Sequence, residues 1–413
     1  MEQGKFEPTE EGSAQGSAMS PMLANIYMHH VLTLWPGSQA HRLVSILSVA
    51  GEFPIRALHL LGKERVLRDL VRRLTVSQRI RNPSTGEYLE SKLLQLTGKG
   101  ASKSIRFYKG ALPILEWLHP DAYRYYMESF WEHRFPGDQA HRDRNHRVAE
   151  ALALCAGAGV EIFPYRLPKL QMREIRLTVP PTPSLYLARN LKKINPAEQN
   201  KTMFTRMVGT LFYPGGCHAV YNTRSAAMRW SGMGEFKALH SLIEVARMNA
   251  NLQRVDTAIL LGASAETAIS TLMESERSRR PEFRFDGIYR HVYFIPMDEI
   301  GSRRLRLLTL PDWNEKLLDL LFDPDSRSYG KGIIEYDALV DGVMVFSHLD
   351  GDLARLLRFR EAAYAQADRL EVLCFPDQVP LLREYLDPPI KLKTIDMNSV
   401  EEALGLSGRS VFE

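Results

Sequence analysis

The sequence contains little cysteine and no long apolar run. Cys155, Cys217 and Cys374 lie far apart in the chain and fit no zinc-ligand spacing, which predicts buried thiols in a reducing compartment. No apolar stretch approaches the length that crosses a bilayer, and the first residues do not follow the basic-then-apolar pattern of a secretory signal. The sequence therefore predicts a cytoplasmic protein that has no membrane partner.

Several catalytic motifs are also absent. The sequence has no G-x-S-x-G nucleophile elbow, and Gly262-Ala-Ser-Ala lacks the lysine of a phosphate-binding loop. Residues 323–328 begin like a calcium loop, but Ser328 occupies the position where the turn needs glycine. On these grounds the sequence predicts neither a bound metal nor a cofactor, and it favours a protein that is not an enzyme.

The composition is that of a globular protein, but its charge is unevenly distributed. The chain of 413 residues is long enough for two or three domains. Its hydrophobic content of 45% and its charged content of 25% are ordinary for a soluble globular protein. Residues 42–110 include fourteen Lys and Arg against five Asp and Glu, although the net charge of the whole chain is only +4. The remainder is therefore acidic, and the basic segment predicts a polyanionic partner.

Three short predicted helices with tight joints make up much of the basic segment. Apolar spacing predicts helices over residues 40–51, 55–62 and 63–74, and the first two end in glycine. This order is typical of a helix-turn-helix, in which the third helix reads DNA. The basic residues predicted to contact DNA from this third helix are Lys63, Arg65, Arg68, Arg72 and Arg73.

The residues that follow predict a wing. Turn signals at residues 83–86 and 98–100 separate short runs of strand-like composition, the last of which is SIRFY. A β-ribbon directly after a recognition helix is the arrangement of a winged helix, whose wing lies against phosphates. The wing residues predicted to contact DNA are Lys99, Lys103, Arg106 and Lys109.

The rest of the chain predicts a connector and an α/β domain. An aromatic-rich stretch and a helix over residues 141–159 predict packing between the two parts, with His141 and His146 on the surface. From residue 160 onward strand-like and helix-like runs alternate, which predicts a central mixed sheet. Four acidic residues around one predicted strand are interpreted as solvated loop ends rather than a cation site: Asp337, Asp341, Asp350 and Asp352.

One alternative is a metal-dependent nuclease. Glu235-Phe-Lys237 matches the E-x-K triplet of PD-(D/E)xK nucleases, in which carboxylates hold Mg²⁺ and the lysine assists the attacking water. The predicted hairpin before the triplet offers no Asp or Glu to complete such a site, and Glu235 fits the first turn of a helix. A domain that keeps the nuclease fold without its metal site fits these residues better.

Residues 10–35 resemble a block of group II intron reverse transcriptases, or maturases. The residues that carry the resemblance are Gly12, Gln15, Gly16, Ser20, Pro21, Leu23, Ala24, Asn25, Ile26 and Tyr27. The family's metal-binding carboxylates have no counterpart, since only eleven residues precede Gly12 and no Y-x-D-D follows. The resemblance therefore implies a fragment, expected to be disordered, without polymerase activity. A maturase-like RNA binder is the alternative that it leaves open.

The main body resembles the replication-relaxation family of plasmids and conjugative elements. The likeness rests on the predicted helices and wing and on the residues His146, Arg147, Val148, Ala149 and Glu150. It implies a DNA-binding protein linked to the replication or relaxation of mobile DNA. It also leaves open a second partner among the proteins of a mobile-element transfer or replication complex.

Together these patterns divide the chain into four parts. They are a truncated reverse-transcriptase-like leader (1–37), a winged helix (38–118), a helical connector (119–159) and an α/β domain (160–413). The predicted fold class is α/β, with an N-terminal winged helix-turn-helix before a mixed-sheet, degenerate nuclease-like domain. The predicted function is that of a DNA-binding accessory or regulatory protein of a plasmid or other mobile element, with double-stranded DNA as partner.

Overall fold

The chain combines helices with several β-sheets, as the predicted α/β class requires. The computed structural model describes residues 39–130, 133, 135, 138–170, 181–191, 206–228, 254–278, 284–328, 334–363, 369–386 and 388–406. The maturase-like block, the E-x-K triplet and the first strand-like run after residue 160, IRLTV (175–179), lie outside the described residues. No helix among the described residues is long and apolar enough to cross a membrane.

Residues 39–107, which are called the first part of the chain below, begin with two α-helices separated by a short strand and a 3₁₀ helix. Helix α1 spans Gln39–Ala50, β1 spans Phe53–Pro54, the 3₁₀ helix spans Ile55–Leu61 and α2 spans Glu64–Leu74. Most of α1 is buried, whereas α2 buries only one face. The three helices predicted from apolar spacing are therefore confirmed, the second of them as a 3₁₀ helix.

Two antiparallel ribbons follow α2. The first is a hairpin of β2, Gln78–Arg81, and β3, Tyr88–Ser91. The second pairs β4, Leu94–Thr97, with β5, Ser104–Phe107. Strand β5 also pairs with β1, which gives a three-stranded sheet in the order β1-β5-β4.

A five-stranded mixed sheet lies at the centre of the second part. Its strands are β6 (Ser184–Leu187), β7 (Met207–Tyr213), β8 (Gly216–Arg224), β9 (Arg254–Gly262) and β10 (His291–Pro296). They lie in the order β10-β9-β8-β7-β6, with β8, β9 and β10 parallel and the pairs β6–β7 and β7–β8 antiparallel. Both neighbours of β8 are strands, and eight of its nine residues are buried.

A second, four-stranded sheet follows. Its strands are β11 (Ala338–Val340), β12 (Val343–Ser347), β13 (Leu370–Cys374) and β14 (Lys391–Thr394), in that order. The central mixed sheet predicted for this region is divided into two mixed sheets, because the outer edge of β10 meets a loop and not a strand. The Phe294 amide donates to the Gly351 carbonyl at 2.9 Å, in the segment that follows β12.

Helices cover both sheets and connect the two parts. In chain order they are α3 (Leu112–Leu118), α4 (Pro120–Ser129), α5 (Gln139–Gly157), α6 (Ala188–Leu191), α7 (Ala265–Arg277), α8 (Phe285–Ile288), α9 (Glu299–Leu308), α10 (Trp313–Leu321), α11 (Leu353–Ala363), α12 (Val379–Tyr385) and α13 (Met397–Ala403). Helix α5 packs against α1, the 3₁₀ helix and β1, and also against β8 and α9. One hydrophobic core therefore includes residues from the first part and from the five-stranded sheet.

Candidate nucleic-acid interface

Helix α2 has one buried face and one basic face. Its buried residues recur at helical spacing and are Leu67, Val71 and Leu74. The five basic residues predicted for this helix are all exposed: Lys63, Arg65, Arg68, Arg72 and Arg73. Val66 lies among them and is 49% exposed. The outer face of α2 therefore presents guanidinium groups and one apolar side chain.

Two of these arginines form ion pairs within the helix. Arg68 Nη2 lies 2.6 Å from Glu64 Oε1, and Arg72 Nη2 lies 3.3 Å from Asp69 Oδ1. Exposed pairs of this kind contribute only about 0–1 kcal/mol, because water and salt screen them. They hold the guanidinium groups along the helix surface but are weak enough for a polyanion to displace the carboxylates.

The turn between β4 and β5 carries the predicted wing lysines. Gly98 has a φ of +76°, and a Cβ there would lie 2.5 Å from the Ser102 carbonyl oxygen, so this tight turn requires glycine. Lys99 and Lys103 are exposed on either side of its tip, and Lys109 is exposed just after β5.

Arg106 was predicted to contact a DNA phosphate, but it pairs with Glu52 within the protein. Only 15% of its side chain is exposed, and its Nη2 lies 2.7 Å from Oε2 of Glu52, whose side chain is fully buried. From helix α5, Arg142 Nη2 and His146 Nε2 lie 3.1 and 3.3 Å from the other carboxylate oxygen. A buried carboxylate needs such partners, because burying an unpaired charge is costly. Arg106 therefore joins strand β5 to Glu52, which in turn contacts helix α5, and it does not belong to the exposed basic residues of the helix and the turn.

The same cluster overturns one prediction about helix α5. His146 is 1% exposed rather than on the surface, because its ring lies beside Glu52. His141, also predicted at the surface, is exposed. Burial opposes ionisation of Glu52, but the His146 ring, the Arg106 guanidinium and the Ser104 hydroxyl outweigh it and hold the pKa of this carboxyl far below its usual value.

Sequence reasoning missed two aromatic side chains on the basic surface. The Arg79 guanidinium lies 4.3 Å from the centre of the Tyr88 ring, and Lys92 Nζ lies 4.4 Å from the centre of the Tyr108 ring. Tyr88 is 55% exposed and Tyr108 is 37% exposed. The exposure of Tyr88 could have been predicted from the sequence, because side chains alternate between the two faces of a strand and this alternation places Tyr88 on the outward face of the β2–β3 hairpin.

The acidic residues interpreted as solvated loop ends are mostly buried. Asp337 and Asp350 are each 6% exposed and Asp352 is fully buried, so the prediction is wrong for these three. Asp341 is exposed in the turn between β11 and β12, as predicted. Burial is possible because cationic groups lie beside them: Arg355 Nη2, for example, lies 2.6 Å from Asp337 Oδ1.

A metal centre finds no support in the part of the chain that the structure describes. There, no group of three or more His, Cys, Asp or Glu residues is arranged to hold a metal ion. Glu235 and Lys237, the candidate nuclease residues, lie outside the described residues.

No family model, curated protein or solved structure matches this chain. The resemblances to maturases and to the replication-relaxation family therefore stay predictions.

Proposed function

We propose that the first part of the chain is a winged helix that binds double-stranded DNA. The order of α1, β1, the 3₁₀ helix, α2, β4 and β5, together with the strand order β1-β5-β4, supports this proposal. In this assignment the 3₁₀ helix takes the place of the second helix, and the β2–β3 hairpin is an insertion after α2. Helix α2 is then the recognition helix, and the turn at residues 98–103 is the wing.

The exposed face of α2 suits the major groove. Its arginines can donate two hydrogen bonds to the O6 and N7 atoms of guanine, which is the commonest specific contact in that groove. Val66 offers an apolar contact for a thymine methyl group. The groups that would read base edges from this helix are therefore Arg65, Val66 and Arg68.

The charge of the surrounding surface favours phosphate contacts. Residues 63–109 include twelve Lys and Arg and four Asp and Glu. Lys99 and Lys103 are exposed on the wing, and Arg79 and Arg81 are exposed on the neighbouring hairpin. Each cation that neutralises a phosphate releases a counterion, so most of the affinity should depend on salt. This excess of exposed positive charge on the helix and the wing is the observation that carries the proposal.

The role proposed for the whole chain is that of a DNA-binding accessory or regulatory protein. The resemblance of residues 146–150 to the replication-relaxation family supports an origin in a plasmid or other mobile element. In this proposal the two mixed sheets serve self-association or binding of a second protein, and no nucleotidyl transfer is involved.

Salt dependence of DNA binding by the full chain tests this proposal. We expect the affinity for a fluorescent 30-base-pair duplex, measured by anisotropy, to fall steeply between about 50 and 200 mM salt. The double variant Arg65→Ala/Lys99→Ala removes one cation from the recognition helix and one from the wing. It should bind at least tenfold more weakly at low salt, and the slope of log K against log salt should decrease by about 2.

A matched variant separates this site from general charge. Lys391→Ala/Lys393→Ala also removes two exposed cations, but from strand β14 in the four-stranded sheet. It should keep the affinity and the salt slope of the unmodified protein. Equal weakening by the two double variants, or the absence of salt-dependent binding, would refute the assignment of the interface.

A further inference from the structure

A polar cavity lies between the two mixed sheets, away from the basic surface. Its volume is about 500 Å³, within the range of about 300–1,000 Å³ that is usual for small-molecule sites. Strand β10 contributes His291 and Tyr293, helix α10 contributes Glu315 and Leu318, and the segment after β12 contributes Asp350. The cavity therefore forms where β10 lacks a neighbouring strand.

Carboxylates outnumber guanidinium groups along the wall of this cavity. The carboxylates are Asp256, Glu315, Glu335, Asp337 and Asp350, and the guanidinium groups are Arg290, Arg327 and Arg355. Arg355 already pairs with Asp337 and Glu335, at 2.6 and 3.0 Å. Arg327 likewise pairs with Glu315 and with Asp319. The wall is thus net negative, and its buried cations are neutralised by the protein itself.

Asp350 is the carboxylate that is best placed to meet a ligand. It is 6% exposed, and that exposed fraction faces the cavity that it lines. Its Oδ1 accepts the Asp352 amide at 3.0 Å, but no described residue donates a hydrogen bond to Oδ2. This oxygen is not among the buried side-chain atoms that lack a partner, so it is open to the cavity, where a bound molecule can donate a hydrogen bond to it.

We propose that this cavity binds a small organic cation, an alkylamine or a guanidinium compound, and that the Asp350 carboxylate is its charged partner. The ammonium or guanidinium group would donate to Asp350 Oδ2 and offset the negative charge of the wall. Charge-assisted hydrogen bonds of this kind are roughly twice as strong as neutral ones.

His291 supplies a second fixed polar group. Its Nδ1 lies 2.6 Å from Asp352 Oδ2. The other oxygen of Asp352 accepts the backbone amides of Val292, Ala354 and Arg355, so this carboxylate is immobilised. Since Nδ1 is engaged, Nε2 of His291 is the nitrogen that remains for a hydroxyl or amine of the bound molecule.

The environment of Asp350 adds a pH signature. Burial and the nearby Asp352 carboxylate raise the pKa of Asp350 to about 7, although Arg355 opposes the shift and Asp337 adds to it. Because the ionised form binds the cation, affinity should increase by about tenfold between pH 6 and pH 8. An alkylamine stays charged throughout this interval, so the change reports the protein group.

Three ligands of equal chain length test the charge requirement. Isothermal titration of the full chain with 1,6-hexanediamine, 1,6-hexanediol and adipate compares a cation, a neutral molecule and an anion on one carbon skeleton. Agmatine adds the guanidinium head group. We expect one saturable site for hexanediamine or agmatine, and at least tenfold weaker binding of the diol and the dicarboxylate.

Two Asp→Asn variants locate the site. Asp350→Asn keeps the acceptor for the Asp352 amide but removes the charge, so it should weaken cation binding at least tenfold and abolish its pH dependence. Asp341→Asn, in the exposed turn, should bind like the unmodified protein, since Asn tolerates the φ of +51° found there. Failure of both cations to bind, equal binding of the diol, or undiminished binding by Asp350→Asn would overturn the proposal.

Discussion

Replacing Glu52 with Gln is expected to lower the free energy of unfolding by about 3–5 kcal/mol. The carboxylate of Glu52 is fully buried and lies within 3.3 Å of side-chain nitrogens of Arg106, Arg142 and His146. An amide keeps the volume of the side chain but removes the charge that compensates the two guanidinium groups, which are 15% and 18% exposed. Urea unfolding followed by circular dichroism at pH 7 measures the loss.

A surface glutamate provides the control. Glu90 lies on β3 in the same part of the chain and is exposed, so Glu90→Gln should change the free energy of unfolding by no more than about 0.5 kcal/mol. Stability of Glu52→Gln within 1 kcal/mol of the unmodified protein would show that the cluster contributes little.

The same variant should alter the dependence of stability on pH. The pKa of Glu52 is depressed in the folded protein below its ordinary value of 4.5. The stability that this shift contributes is therefore present above pH 4.5 and is lost as the pH falls toward the folded-state pKa. The difference between Glu52→Gln and the unmodified protein should be largest at neutral pH and should shrink below pH 4.5.

Replacing Arg355 with Met is expected to be similarly destabilising, by about 3–5 kcal/mol. Only 10% of the Arg355 side chain is exposed, and it pairs with both Asp337 and Glu335. Methionine fills much of the same space but leaves the buried Asp337 without its cation. Thermal and urea unfolding at pH 7 should both report the loss.

Arg358 on the same helix is the matched control. Its guanidinium also pairs with Glu335, at 3.2 Å, but 31% of its side chain is exposed. Arg358→Met should therefore cost about 1 kcal/mol or less. Equal losses for the two variants would mean that burial of the Asp337–Arg355 pair is not what stabilises this region.

Local patterns predicted the elements of the fold well. Helical spacing located α1 and α2. After residue 160, the strand-like runs TAILLGA (257–263) and HVYFIPM (291–297) correspond to β9 and β10. The division into two sheets was not predictable, because it depends on a loop at residue 351 that occupies the edge of β10. A sequence pattern indicates which residues form strands, but it does not indicate which strand edges lack a neighbouring strand.

The candidate sites show the same limit. Exposure of the α2 arginines follows from the spacing of apolar residues within a few turns. The partner of Arg106 is Glu52, more than fifty residues away, and Asp352 pairs with His291 on strand β10. Whether a charged side chain is solvated or buried in an ion pair therefore depends on long-range packing that local periodicity does not contain.

Helix α5 has a practical consequence for dissecting this protein. At one end, this nineteen-residue helix supplies two of the three partners of Glu52, which are Arg142 and His146. Further along, its Glu150 pairs with Arg56 and with Arg224. In a fragment that ends at residue 118, the proposed winged helix would lack helix α5, against which α1, the 3₁₀ helix and β1 pack. We expect the intact chain to unfold in a single thermal transition. We also expect limited proteolysis not to cleave the chain within this helix.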